Sequence, residues 1–294
     1  MAMTPGQRIV NIVGVLLPCI GLVAAIVLLW NDAVDLEALA IAAVMYLICD
    51  FGISVGFHRL FAHRAFVAAT PVRLSLAVAG TMAMMGPPVR WVTNHRQHHA
   101  YADEEGDPHS PHLSPHRGVL GAVAGLWHAH VGWIFTAERG AKERYARDLL
   151  GDRVVMFVDR TAAVWVLLGL ALPFAAGLAV GGTLDAALVA LLWGGPVRIF
   201  AGHHMTFSIN SLCHFMGRRR FATGDESRNL AWLAPVSLGE SWHNNHHAFP
   251  TSAFHGLRRR DIDLGGWLIA GFERLGLASD VKRISPDRQR QKLR

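Results

Sequence analysis

Apolar residues in this chain come in runs too long for the core of a soluble domain. Ile9 to Trp30, Leu36 to Phe57, Thr161 to Gly181 and Leu184 to Phe207 each have the length that a helix needs to cross a hydrocarbon layer of about 30 Å, roughly 20 residues. Asn11 is the only strongly polar residue of the first run, and Asp50 lies inside the second. The first run exceeds the roughly 15 apolar residues of a signal peptide and no small-residue cleavage site follows it, so it reads as a span. The third and fourth are joined by a short turn containing Gly181, Gly182 and Asp185.

The connections "NDAVDLE" and "VGGTLD", after the first and third spans, contain no Lys or Arg, whereas the other connections and the C-terminal region are rich in both. The positive-inside rule then places both termini in the cytoplasm, with His58 to Arg160 and everything after Asn210 on that same face. Two shorter runs, Leu74 to Met85 and Val119 to Phe135, the latter interrupted by His128 and His130, read as interfacial or capping helices. Ile262 to Leu277, with Trp267, Leu268, Phe272 and Leu275 at helical spacing, reads as another interfacial helix. The expected architecture is an all-α integral membrane protein of one domain, residues 1–294. It has four transmembrane helices, a cytoplasmic helical cap formed by 58–160 and 208–280, and a frayed basic tail at 281–294.

Composition agrees with a membrane setting: mean hydropathy is +0.28 and only 17% of residues are charged. The net charge of +6 does not point to nucleic acid, because the basic residues flank apolar spans rather than interleaving with stacking aromatics; anionic lipid headgroups fit better. Cys19, Cys49 and Cys213 lie far apart in apolar surroundings, which suggests neither a disulfide framework nor a thiolate zinc site.

Seventeen histidines are the anomaly. His58 and His63 sit in "HRLFAH" at the cytoplasmic end of the second span. Five residues turn a regular helix by about 500°, so these rings would point about 140° apart unless the helix unwinds or a second source of ligands completes the set. In "HRQHH", His95, His98 and His99 are at i, i+3 and i+4 and share a face, and "HNNHH" repeats that spacing with His243, His246 and His247. "NSLCH" adds Asn210 and His214 just after the fourth span. So much imidazole next to apolar sequence is costly to bury unless cations organise it. The number of rings exceeds the roughly six ligands that one first-row ion accepts, which points to two ions. Imidazole suits Zn, Cu, Fe and Ni alike, and the absence of HExxH argues against a zinc protease. Ligating rings need a partner for their other nitrogen, and Asp103, Asp107, Asp225 and Glu240 are candidates by proximity. Polar groups inside spans are functional suspects: His204 is assigned a substrate-lining or hydrogen-bonding role, while the roles of Asp50 and His203 are left open. His109, His112, His116, His128, His130 and His255 read as ordinary loop or cap residues.

With "HRLFAH", "HRQHH", "DPH", "HVGW", "NSLCH" and "GESWHNNHHAFP" in that order between about Gly52 and Gly256, the chain resembles the membrane fatty-acyl desaturases, specifically the stearoyl-CoA (Δ9) branch in its short bacterial form. The resemblance implies an enzyme of a bacterial cytoplasmic membrane that uses O2 and two electrons to insert a cis double bond, at the ninth carbon, into a saturated long-chain acyl-CoA. It implies two iron ions held by His58, His63, His95, His98, His99, His214, His243, His246 and His247, with Asn210 holding a water on one of them. Trp91 and Thr206 correspond to residues at the bend of the acyl tunnel. Phe207 stands where many relatives carry Trp, which bears on tunnel shape.

Thr93, Ala137 and Glu138 replace basic residues that serve CoA phosphates in the animal enzymes; Arg64, Arg90, Arg117, Arg139 and Lys142 are possible substitutes, and a phospholipid or carrier protein is the alternative carrier. No "HPGG" haem signature occurs, so electrons are expected from a separate ferredoxin-like or NAD(P)H-dependent donor, for which "GRRR" at 217–220 and "RRR" at 258–260 offer a basic docking surface. A membrane di-iron hydroxylase would use the same histidines. A metal transporter would place them near mid-membrane, which this distribution does not.

Overall fold

The computed structural model describes residues 5–29, 36–136 and 140–294. Trp30, residues 31–35, Ala137, Glu138 and Arg139 lie outside the described residues. In chain order the main helices are α1 (Pro5–Leu29), α2 (Leu36–Phe51, continuing as a π-helix through Gly52–Ala62), α3 (Thr70–Met82) and α4 (Pro88–Tyr101). They are followed by α5 (Gly118–Trp127, continued to Thr136), α6 (Arg153–Arg160), α7 (Ala162–Gly181) and α8 (Leu184–Leu192). A π-helical turn at Trp193–Val197 leads into α9 (Arg198–Phe215), and α10 (His243–Ala248), α11 (Leu264–Arg274) and α12 (Pro286–Gln291) complete the chain. Strand pairing among the described residues is slight: β1 (Val67–Ala68) runs antiparallel to β2 (Ala278–Ser279).

Five helical stretches among the described residues are long and apolar enough to cross a membrane: Pro5–Val27, Leu36–Ala62, Gly118–Phe135, Ala162–Gly181 and Leu184–Phe215. Four were expected. The additional one is Gly118–Phe135, assigned above to an interfacial or capping role. Side chains such as Ile9, Val23, Val44, Leu167 and Leu188 face outward, as they must where the surroundings are lipid rather than water. The turn between α7 and α8 forms at the expected place: Gly182 takes a left-handed conformation (φ +68°) and Thr183 Oγ1 accepts from the Ala186 amide at 3.1 Å.

Polar groups inside the spans fix the entry to α4. Arg198 is 3% exposed, and its guanidinium donates to the carbonyls of Gly194 (3.0 Å), Met82 (2.9 Å) and Gly169 (3.1 Å). His203 Nε2 donates to the Ala83 carbonyl at 3.1 Å. Both therefore satisfy carbonyls at the C-terminal end of α3 that no helix partner reaches, which gives His203 a structural role.

The C-terminal tail is not frayed, contrary to expectation. Ser285 caps α12, the Ala222 amide donates to the Lys292 carbonyl at 2.8 Å, and the Arg294 amide donates to the Arg220 carbonyl at 3.1 Å. Backbone pairing with 220–222 thus holds a stretch whose side chains alone gave no packing signal.

Candidate metal centre

The winding of the second span decides where its two imidazoles point. From Gly52 to Ala62 the chain is a π-helix, and the His63 amide donates to the His58 carbonyl at 3.0 Å, an i→i+5 bond. That widens the turn to about 4.4 residues, so positions five apart fall on nearly the same side. The two ring centroids are 4.9 Å apart. Local unwinding is how the chain escapes the 140° divergence of a regular helix. Gly52 is where α3 crosses this segment; a Cβ there would lie 2.0 Å from the Gly80 amide nitrogen.

The i, i+3, i+4 triplets on α4 and α10 do not each serve one point. Ring nitrogens of His58, His63, His95, His99 and His246 lie within 4.8 Å of one another, and so do those of His98, His214, His243 and His247. Helix α4 sends His95 and His99 to the five-ring group and His98 to the other, whereas α10 sends His246 to the first and His243 and His247 to the second. Two short helices with facing histidine rows straddle both groups.

Within the first group, Nε2 atoms are separated by 2.7 Å (His63 and His95), 2.9 Å (His99 and His246) and 3.1 Å (His58 and His246). In the second they are separated by 3.0 Å (His214 and His243) and 3.4 Å (His98 and His247). The outer nitrogens meet acids. Nδ1 of His98 donates to Asp107 at 2.9 Å, that of His214 to Asp103 at 2.8 Å and that of His247 to Asp225 at 2.8 Å, while His58 Nδ1 pairs with Glu240. Burial alone would raise these carboxyls. The hydrogen bonds and charges of their histidines outweigh it and hold Asp103, Asp107 and Asp225 well below the usual carboxylate range, and Glu240 likewise, with Arg59 adding to the effect.

These contacts also fix the proton on the four rings concerned, His58, His98, His214 and His247. A carboxylate accepts but does not donate, so the hydrogen sits on Nδ1 and the neutral ring presents a bare lone pair at Nε2. Burial first, and then repulsion from neighbouring rings, keeps His63, His95, His99, His243 and His246 well below the ordinary imidazole range, and burial pushes His247 down to about 4. His98 is the exception: burial lowers it, but Asp107 more than compensates. Converging lone pairs in a buried site repel unless a cation lies between them. Two nitrogens at right angles around one ion, each about 2.1 Å from it, would be about 3.0 Å apart, which the observed separations match. The donors therefore fit two first-row metal ions, one facing five imidazoles and the other four.

A cavity between α2, α4, α9 and the 237–243 segment reaches both groups; Trp91, Thr206 and Asn210 line it together with His58, His98 and His243. Trp91 also stacks on His95 at 5.0 Å. Asn210 thus lines the same cavity as rings of both groups. His204 and Phe207 are not part of this lining: His204 Nδ1 meets His130 Nε2 at 2.9 Å, and Phe207 packs against His130, His203 and His204. A separate polar opening, lined by His63, Arg96, His99, Asp225 and His247, leads to the groups from another side. Thr93 is fully buried and its hydroxyl donates to the Val89 carbonyl, so it does not face a head group.

Sequence reasoning missed Arg59 and underrated His255, His109 and His130. Arg59 is completely buried; it pairs with Glu240 (3.1 Å) and Asp263 (2.9 Å) and lies 3.2 Å from His255 Nδ1. His255 forms a further close group with His58 and Glu240, and His109 does so with His98 and Asp107. An arginine directly after His58 in an apolar span was the available signal; His255 stands at no helical spacing from "HNNHH" and gave none.

A family model described as fatty acid desaturase matches residues 36–261. The chain is 44% identical over 269 residues to a hex-5-enoyl-(acyl-carrier protein) acetylenase of Moorena producens, covering 90% of this chain and 83% of that protein. It is 36% identical over 259 residues to Delta-9 acyl-lipid desaturase 1 of Arabidopsis thaliana, covering 86% and 78%. It is 37% identical over 243 residues to an acyl-CoA Delta5-desaturase of Anemone leveillei, covering 81% and 72%.

Proposed function

The chain belongs to the fatty acid desaturase family, and on that premise we propose that it forms a cis double bond at the ninth carbon of a saturated long-chain acyl group carried on CoA. The family makes it a membrane oxidoreductase acting on acyl chains; bond position and carrier are our reading. The observation that carries it is the pair of imidazole groups, of five and four rings, at one end of a cavity between apolar helices. Such a cavity holds methylenes in line with the metal groups, and each buried CH2 contributes about 0.8 kcal/mol to holding them.

Two bound irons would supply the O2-dependent oxidation that removes two hydrogens from unactivated carbon. The nine histidines would hold them, and Asn210 would orient a water in the cavity beside them. The Nδ1 contacts to Asp103, Asp107, Asp225 and Glu240 keep His214, His98, His247 and His58 in the ligating tautomer. Trp91 and Thr206 shape the cavity where it meets the histidines. Electrons come from a separate ferredoxin-like or reductase partner that docks on the basic cytoplasmic face, where both termini also lie. The whole chain acts as one membrane domain.

A second reading, in which the chain is carried on a lipid or a carrier protein, draws on the Arabidopsis and Moorena relatives, named for acyl-lipid and acyl-carrier-protein substrates. Expression in a desaturase-deficient host, with mapping of new double bonds in CoA, carrier-protein and lipid pools, tests both. A new double bond at the ninth carbon appearing first in acyl-CoA supports the proposal. Its first appearance in lipid or carrier protein supports the second reading, and hydroxylated chains alone would overturn desaturation.

A further inference from the structure

Asp50 lies within a membrane span, 7% exposed, and lines the cavity that also reaches His58. It precedes His58 by eight residues, which puts it roughly 10 Å farther along the second span. The walls between are Ile53, Met205 and Ile209, with the hydroxyls of Ser54 and Thr206.

Among the described residues, two nearby hydroxyls are engaged elsewhere. Ser54 Oγ donates to Glu240, and Tyr46 donates to the Val236 carbonyl at 2.7 Å. The guanidinium of Arg198 is bound to the three carbonyls of Gly194, Met82 and Gly169. Among the described residues, no hydrogen bond or ion pair reaches the Asp50 carboxyl. The facing position on α9 is Gly202, where even a Cβ would come within 3.1 Å of Asp50 Oδ2, so the helix leaves room for this group. A buried carboxyl is thus aimed into the far end of the cavity.

We propose that Asp50 makes this end of the acyl cavity a polar subsite that requires an oxygen donor, and so determines which chains are accepted. The inference rests on the desaturase reading above and narrows its substrate, from any long saturated chain to one that ends in a hydroxyl or stops short of Asp50. A hydroxyl satisfies the carboxyl whether or not the latter is protonated; a methylene or methyl group satisfies neither form and displaces its water. Leaving a buried polar group without a partner discriminates by about tenfold or more. The oxygen is supplied either by a hydroxyl at the end of a long chain or by water retained behind a shorter one.

The test is competition among octadecanoyl, ω-hydroxyoctadecanoyl and decanoyl thioesters in membranes containing the holoenzyme and its electron donor, for the wild type, D50L and D50N. The wild type is expected to prefer the hydroxylated chain, the short chain or both over octadecanoyl by about tenfold or more. D50N, still able to donate and accept, keeps this order, and D50L, similar in volume, reverses it. Preference for the hydroxylated chain alone assigns the oxygen to the substrate, and equal preference for decanoyl assigns it to water. Thermal stabilisation by the same thioesters provides a readout independent of turnover. The expected discrimination in stabilisation without any double bond would sink the desaturase reading and leave the subsite standing. A wild type with no preference, or a D50L protein with the wild-type order, overturns the proposal.

Discussion

His98 and His247 face each other through Nε2 atoms 3.4 Å apart, while each gives its Nδ1 hydrogen to its own acid, Asp107 and Asp225. While both rings are neutral, neither has a hydrogen to offer the other. The pair is a hydrogen bond that the acids prevent, and that makes it a seat for a cation. Replacing Asp225 with Asn weakens the acceptor without changing its shape, so metal affinity at the four-ring group is expected to fall about 10- to 100-fold. Chelator competition on D225N and D107N reads this out, and E240Q shifts the loss to the five-ring group.

Arg59 ties the histidine-bearing π-helix to the C-terminal part of the chain. Its guanidinium is fully buried between Glu240 and Asp263 and also donates to the Ala253 carbonyl at 3.1 Å. Removing one partner of a buried ion pair leaves the other charge uncompensated, at a cost of about 3–5 kcal/mol. Arg59→Ala is therefore expected to lower the unfolding temperature in detergent steeply, whereas Arg290→Ala, on an exposed pair with Asp287, leaves it unchanged.

The crossing of α3 over the π-helix depends on a missing side chain. A methyl at Gly52 would meet backbone at 2.0 Å, whereas one at Gly14 in α1 would meet nothing within 4 Å. Gly52→Ala is expected to cost about 1–3 kcal/mol by overpacking and to impair metal retention by disturbing the His58 and His63 alignment. Gly14→Ala should do neither, and thermal unfolding with metal analysis checks both variants.

Stability of the metal-free protein should depend on acidity with a defined sign. His247 is pushed from 6.5 to about 4 by burial in the folded chain. Between these values the unfolded state binds a proton that the folded state refuses, so stability falls as pH drops from 6.5 toward 4. The depressed carboxyls add losses at lower pH, as protonation removes their histidine contacts. Unfolding temperatures across that range should decline with acidification; a flat profile would contradict the burial described for this ring.

Much of this site was legible in the sequence because ligand spacing is a local property. The triplets at 95, 98, 99 and 243, 246, 247 declared a shared helical face, and Asp103, Asp107, Asp225 and Glu240 lay close enough to the boxes to be named. Spacing did not reveal how each triplet divides between the two groups, since that depends on how α4 and α10 face each other. The π-helix was legible only as a conflict, the 140° between His58 and His63. His255 and Arg59 stayed hidden because their partners lie far away in the chain. The tail at 281–294 looked frayed because its anchoring is backbone pairing with 220–222, which composition does not encode.

If the five-ring and four-ring groups each hold an iron ion, the purified protein contains about two irons per chain, with D225N losing one before the other under chelation. One iron or fewer per chain in folded, active protein, or full activity with zinc in both groups, would contradict that occupancy.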